Sequence, residues 1–235
     1  MKRQVCLAIE GNSGGGKSTI ARLTTQLLGP GCRAFPEYHY YLDWRSGNPL
    51  PLFPPPDQPT VIKSNNIWID ADLRREKCRN AAVRCRYQIL DTTPISVICY
   101  ELAKIRQGLP AGVLDLAARY KSLIGSGRLS EPDKWVFLWA SPQTISARLE
   151  EKGGTRPFLM STRTMEYLDR FRRLFREEYC GSAALDIDTE VTPPSDSAAR
   201  VAAFLTARRR PSRKPLAKFL QDLLSASFLG RLSSL

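Results

Sequence analysis

The chain has one histidine, His39, and no C-x-x-C pair among its six cysteines, Cys6, Cys32, Cys78, Cys85, Cys99 and Cys180. No ligand set with zinc-site spacing remains, and scattered reduced thiols, most of them buried, are the expectation. No apolar run approaches the roughly 18 residues of a membrane span. No apolar h-region precedes the first strand, which argues against a secretory signal and for the cytoplasm. Acidic residues are scarce: 23 Asp and Glu stand against 35 Lys and Arg, a net charge of +12. That balance suits a polyanionic ligand or an acidic surface. Aromatics and bases do not alternate along any strand, which argues against nucleic acid as a partner.

What is present begins with Gly11-Asn12-Ser13-Gly14-Gly15-Gly16-Lys17-Ser18. The run fits G-x-x-x-x-G-K-[ST], the phosphate-binding P-loop. Its surroundings fit as well. Residues 5–9 are an apolar, partly β-branched run that predicts a buried strand, and 19–28 predict a helix with Ile20, Leu23, Leu27 and Leu28 on one face. The glycines free backbone N–H groups to close around phosphate oxygens, and the helix N-terminus adds its dipole. Lys17 is then expected on the β- and γ-phosphates and Ser18 on Mg²⁺, with ATP as the nucleotide. Gly11 to Thr19 form the nucleotide-binding set.

Further along, four more segments predict strands over 32–35, 87–91, 135–139 and 184–188, with 135–139 the clearest buried one. Between them the patterns predict helices over 67–85, 94–107, 111–124, 143–152, 161–179 and 194–207, the last with Ser195 or Asp196 at its cap. Strands alternating with helices predict an α/β fold: a three-layer P-loop NTPase with a five-stranded parallel sheet. Residues 39–66 are proline-rich and irregular. Their aromatics, His39, Tyr40, Tyr41, Trp44 and Phe53, either wall a substrate site or pack the loop down. Arg170, Arg172, Arg173 and Arg176 lie near Glu166, Asp169, Glu177 and Glu178, the pattern of an ion-paired, solvated helix face.

A P-loop domain over 1–207 is followed by a tail, 208–235, that carries seven basic residues and one acid. It opens as a basic linker. Leu216, Phe219, Leu220, Leu223, Leu224, Phe228 and Leu232 then recur at helical spacing. This amphipathic helix has three candidate partners: its own domain, a second copy of the chain in a homodimer, or an acidic membrane surface.

The P-loop motif alone spans several protein classes. No D-x-x-G or N-K-x-D occurs, which excludes a GTPase, and no L-S-G-G-Q-like signature marks a transporter ATPase. Over residues 3–207 the chain resembles the thymidylate kinase and deoxynucleoside kinase group. The resemblance rests on the P-loop, on Pro36-Glu37-Tyr38, on Ile89-Leu90-Asp91-Thr92-Thr93, on the stretch from Phe137 to Lys152, on Gly153-Gly154-Thr155-Arg156, and on Asp186-Ile187-Asp188-Thr189. It implies an ATP-dependent phosphotransferase acting on a nucleoside or nucleoside monophosphate. By position it implies Glu37 as general base and Asp91 near Mg²⁺. It also implies a helical lid over about 153–163, whose Arg156 covers the transferring phosphoryl, with Arg148 and Arg163 behind it. Where the group carries an arginine after the acid of strand three, this chain has Thr92. That difference opens the small-molecule acceptor to a non-nucleotide hydroxyl compound, such as an antibiotic or sugar derivative. An ATP-binding regulator with little turnover, acting through the basic tail, is the third reading.

Overall fold

The computed structural model describes residues 4–42, 55–82, 84–153, 161–207, 215–225, 228 and 230. Five strands, β1 (Val5–Glu10), β2 (Cys32–Phe35), β3 (Tyr87–Asp91), β4 (Lys134–Trp139) and β5 (Ala184–Asp188), form one parallel sheet in the order β2-β3-β1-β4-β5. All five lie within one residue of the expected spans. β1 and β3 are neighbours whose chains leave in opposite directions, β1 toward β2 and β3 toward β4. The crevice at their carboxyl ends is where such sheets bind ligands.

Side-chain alternation splits the core into two layers. Leu7 and Ile9 of β1 and Val136 and Leu138 of β4 pack under α1 (Lys17–Leu28) and α7 (Pro194–Thr206), meeting Ile20, Ala21, Val201 and Leu205. Ala8, Trp135 and Phe137 face the other way, toward α3 (Pro94–Arg106), α4 (Val113–Gly125) and α6 (Thr162–Phe175). Trp135 sits edge-on to Phe175, with ring centroids 4.9 Å apart. The buried Lys134 donates to the carbonyls of Phe204, Leu205 and Ala207, which satisfies the C-terminal end of α7. Among the described residues no helix is long and apolar enough to cross a membrane. All six cysteines are free, and Cys6, Cys32, Cys99 and Cys180 are buried.

The span of the helix expected over 67–85 and the cap of α7 differ from expectation. α2 spans Gln58–Ala81, so it begins nine residues earlier than the pattern predicts, inside the stretch read as irregular loop. Asp57 caps it, its carboxylate accepting from the Thr60 N–H at 2.8 Å, with Pro59 in the first turn. That capping signal was present in the sequence, but six nearby prolines masked it. α7 is capped by Pro193 rather than Ser195 or Asp196, and Pro194 takes the first helical position. α6 continues into a π-turn over Arg176–Cys180.

The tail helix α8 (Pro215–Leu223) packs onto its own chain, beside α4 and the π-turn. Its Leu216, Phe219, Leu220 and Leu223 are buried, as is Phe228. Phe219 meets Phe175 and Tyr179 edge-on at 5.3 Å. Glu131 accepts from the Leu216 N–H, and the Tyr179 hydroxyl donates to Asp222. The apolar stripe therefore fills the core beneath α6. Phe219→Ala is expected to cost about 3–5 kcal/mol, because the aromatic cluster cannot collapse into the space left. Urea unfolding of the full chain measures it, and a loss under 1 kcal/mol would show the helix to be only loosely seated. Leu232 and the linker 208–214 lie outside the described residues.

Candidate active site

The phosphate-binding loop runs from the carboxyl end of β1 into α1. Gly14 and Gly16 have φ values of +84° and +92°, which L-residues with a Cβ rarely adopt. Space is also tight at Gly14: a Cβ there would lie 3.0 Å from Leu149 Cγ on α5 (Pro142–Glu150), which would have to give way. Lys17 is buried. Its ammonium donates to the carbonyls of Gly11 (3.1 Å) and Asn12 (3.2 Å) and pairs with Glu37 Oε1 at 3.2 Å. Ser18 and Thr19 continue the same turn, and Ser18 Oγ donates to Asp91 Oδ2 at 2.5 Å.

Sheet order brings the acids here. Asp91 ends β3 in register with Ile9 of β1, and Glu37 follows β2 on the far side of β3. The structure thus brings together Lys17, Ser18, Glu37 and Asp91, four residues expected to act as one site. Burial pushes the Glu37 carboxyl up, but the Lys17 ammonium and its hydrogen bond, with His39 and Thr92, together hold it below its ordinary value. Asp91 is raised, by burial first and then by the neighbouring Glu37 carboxylate, with Lys17 opposing. Burial would lower Lys17, yet the two carboxylates raise it. A cation flanked by two acids therefore sits at the mouth of a phosphate-binding loop.

Thr92 lies between the acids. Its φ is +73°, the one non-glycine residue with positive φ among those described. Its hydroxyl lies 3.4 Å from both Glu37 Oε1 and Asp91 Oδ1, and its N–H donates to the Ile9 carbonyl. Arg75 of α2 holds the turn from beneath, donating to the carbonyls of Asp91 (3.3 Å) and Thr92 (2.8 Å) while paired with Asp72 at 2.5 Å. The left-handed conformation costs a β-branched residue on the order of 1–2 kcal/mol. Thr92→Gly is therefore expected to be more stable than Thr92→Ala by about 1 kcal/mol, since both lose the hydroxyl and only alanine keeps the strain. Equal unfolding midpoints would show that the turn is unstrained.

Glu10, fully buried at the end of β1, accepts from Thr93 Oγ1 at 2.6 Å and Ser96 Oγ at 2.5 Å. These bonds pin α3, which Thr93 also caps. Neither Glu10 nor Arg75 was legible as a site component. The only sequence signal was the paired Asp72/Arg75 and Glu76/Arg79 spacing on α2, and it marks ion pairs rather than their placement.

The remaining candidates fall elsewhere. Arg148 is spent on the exit of β5, its guanidinium donating to Thr189 Oγ1 (3.0 Å) and the Thr189 carbonyl (2.6 Å). Arg163 is exposed and stacks 5.8 Å over the Tyr167 ring. Arg156 and most of the expected lid lie outside the described residues, as do Trp44 and Phe53. Of the loop aromatics, Tyr41 is half-buried and packs against the core, while Tyr40 is exposed and His39 lies tilted against its ring, centroids 4.1 Å apart. Of the four arginines, Arg170 and Arg173 are exposed, and Arg172 departs from the solvated reading. Arg172 is 1% exposed and bonded to Asn12 of the P-loop, and Arg176 pairs with Asp186 at 2.6 Å rather than with Glu177 or Glu178. Arg173 lies over the Trp139 ring at 4.2 Å.

No family model and no curated protein matches the sequence, but solved structures match the fold. A deoxyadenosine kinase from M. mycoides with bound dATP shares 18% identity at a TM-score of 0.59, over 86% of this chain and all (100%) of that one. The same enzyme with dCMP and dCDP gives 19% identity and 0.59, over 84% and 96%. Thymidylate kinase from Candida albicans gives 19% and 0.55, over 85% and 89%. The fold is that of the P-loop nucleoside and nucleotide kinases. Within this kinase fold the glycine loop, Glu37 and Asp91 lie at the crevice that the strand order creates.

Proposed function

We propose that the chain is an ATP-dependent phosphotransferase that moves the γ-phosphoryl to a hydroxyl of a nucleoside or nucleoside monophosphate. The observation that carries this reading is the convergence of Lys17, Ser18, Glu37 and Asp91 within hydrogen-bond and ion-pair distance at the P-loop. Phosphoryl transfer asks a protein for in-line positioning and charge neutralisation, not covalent chemistry. Lys17 supplies a buried positive charge to the phosphates. Ser18 Oγ and the Asp91 carboxylate are hard oxygen donors side by side, the chemistry Mg²⁺ takes alongside phosphate oxygens, so these residues fit the ion. Mg²⁺, when bound, neutralises charge on the β- and γ-oxygens.

Glu37 is the group placed to accept the acceptor's proton. It is one-third exposed, which gives an acceptor access, and Lys17 keeps it ionised. As Lys17 turns toward phosphate, that restraint weakens and the carboxylate becomes a stronger base. Thr92 favours a second acceptor class, a non-nucleotide hydroxyl compound, because a short neutral side chain stands where the resembled group carries a cation. The regulator reading is the weakest, since the apolar face it would signal through is buried in the same chain.

ADP release measured against nucleosides, nucleoside monophosphates and aminoglycoside-like compounds tests the reading. Turnover with a nucleoside or its monophosphate is expected. Turnover with an aminoglycoside-like compound alone would move the acceptor to the second class.

A further inference from the structure

Asn12 is the second residue of the P-loop, and both halves of it are engaged. Its backbone carbonyl accepts from Lys17 Nζ at 3.2 Å and from the Gly15 N–H at 3.0 Å, so it holds the catalytic cation and the tight turn together. Its side-chain amide is gripped by α6. The Asn12 Nδ2 donates to Asp169 Oδ1 at 2.9 Å, and Arg172 Nη1 donates to Asn12 Oδ1 at 2.5 Å. Asp169 and Arg172 stand three residues apart on one face of α6, 3.6 Å from each other, and close the triangle.

Burying a guanidinium costs several kcal/mol unless pairing offsets it. Arg172 is buried with its Nε unpartnered and with a longer contact to Asp169 than to Asn12. Its shortest bond is therefore to the phosphate loop. The guanidinium also faces the buried Glu10 carboxylate at the end of β1, at longer range than its bond to Asn12. The guanidinium spends its shortest bond on the Asn12 amide, so its route to the phosphate site runs through that residue.

We infer that Arg172 is a positioning residue for the nucleotide: through the Asn12 amide it sets the backbone that holds Lys17 and cradles phosphate. The inference takes MgATP as ligand from the phosphotransferase reading. Asn12→Ala cuts the link without unpairing a charge. Arg172→Lys keeps the charge but loses the planar fork that reaches the amide.

Calorimetric titration of the full chain with MgATP, on both single variants and the double variant, tests the link. Each single variant is expected to weaken MgATP about tenfold, the scale of one charge-assisted hydrogen bond. The double variant is expected to lie within about threefold of the weaker single, because lysine has no amide left to act through. Multiplying losses in the double variant overturn the inference. So does an Arg172→Lys protein that melts early yet binds MgATP as the wild type does, which marks a structural role alone. If Arg172→Lys does not fold, Asn12→Ala paired with Arg172→Gln gives the same cycle and is read the same way. A wild type that binds no MgATP overturns the phosphotransferase reading itself, and this inference with it.

Discussion

Lys17→Ala is expected to reduce turnover by at least about 10²–10³, the loss seen when one preorganised charge partner is removed from a transition state. The fold should survive, because Lys17 bonds only to the loop carbonyls of Gly11 and Asn12 and to Glu37, not to the layers of the core. The variant also has an electrostatic signature. Lys17 opposes burial at both Glu37 and Asp91, so without it both carboxylates rise. The linkage sign follows for Glu37. Its folded pKa is depressed below the ordinary 4.5, so its contribution is present above that value and lost as pH falls through the folded pKa. Lys17→Ala removes this contribution, so the acid limb of the unfolding curve should move to higher pH. Asp91 works in the opposite sense. It is raised, so its charge costs stability as pH climbs past its ordinary 3.8, and losing Lys17 deepens that cost. Wild-type turnover in the variant would remove the P-loop from the chemistry.

Glu37→Gln is expected to lower kcat by about 10²–10⁴ while leaving MgATP affinity close to wild type. Glutamine keeps the size and can still meet Thr92, but it cannot accept a proton. It also frees Lys17 from its ion pair, which favours phosphate binding if anything. A drop in kcat with a steady Kd therefore separates base from scaffold. The pH profile adds a second check. With Glu37 held below 4.5, the wild-type kcat/KM should show no acid limb from this group at neutral pH. An unchanged kcat in the variant would take the base role from Glu37.

The sheet was legible because short strand-like segments alternate with helical patterns, β1 and β4 as plainly apolar runs, and the phosphate loop because its spacing is set by backbone chemistry. Glu37 and Asp91 were legible only as acids ending strands; their meeting depends on β3 lying between β1 and β2, which no local pattern encodes. α2 began early because a capping Asp57 outweighed the prolines around it, and its polar sequence hides which charges are buried. Arg172 shows the same limit most sharply. On the helix alone it belongs to a charged face, and only the approach of Asn12, 160 residues away in sequence, turns it inward. Thr92 carries its strain in a backbone angle, to which composition is blind.

The most direct test follows γ-labelled ATP incubated with the full-length chain, Mg²⁺ and a panel of nucleosides and nucleoside monophosphates. The site described here predicts label on an acceptor hydroxyl or phosphate, lost in Lys17→Ala and strongly reduced in Glu37→Gln. Bound ATP with no label on any acceptor, or equal labelling by all three proteins, would contradict it.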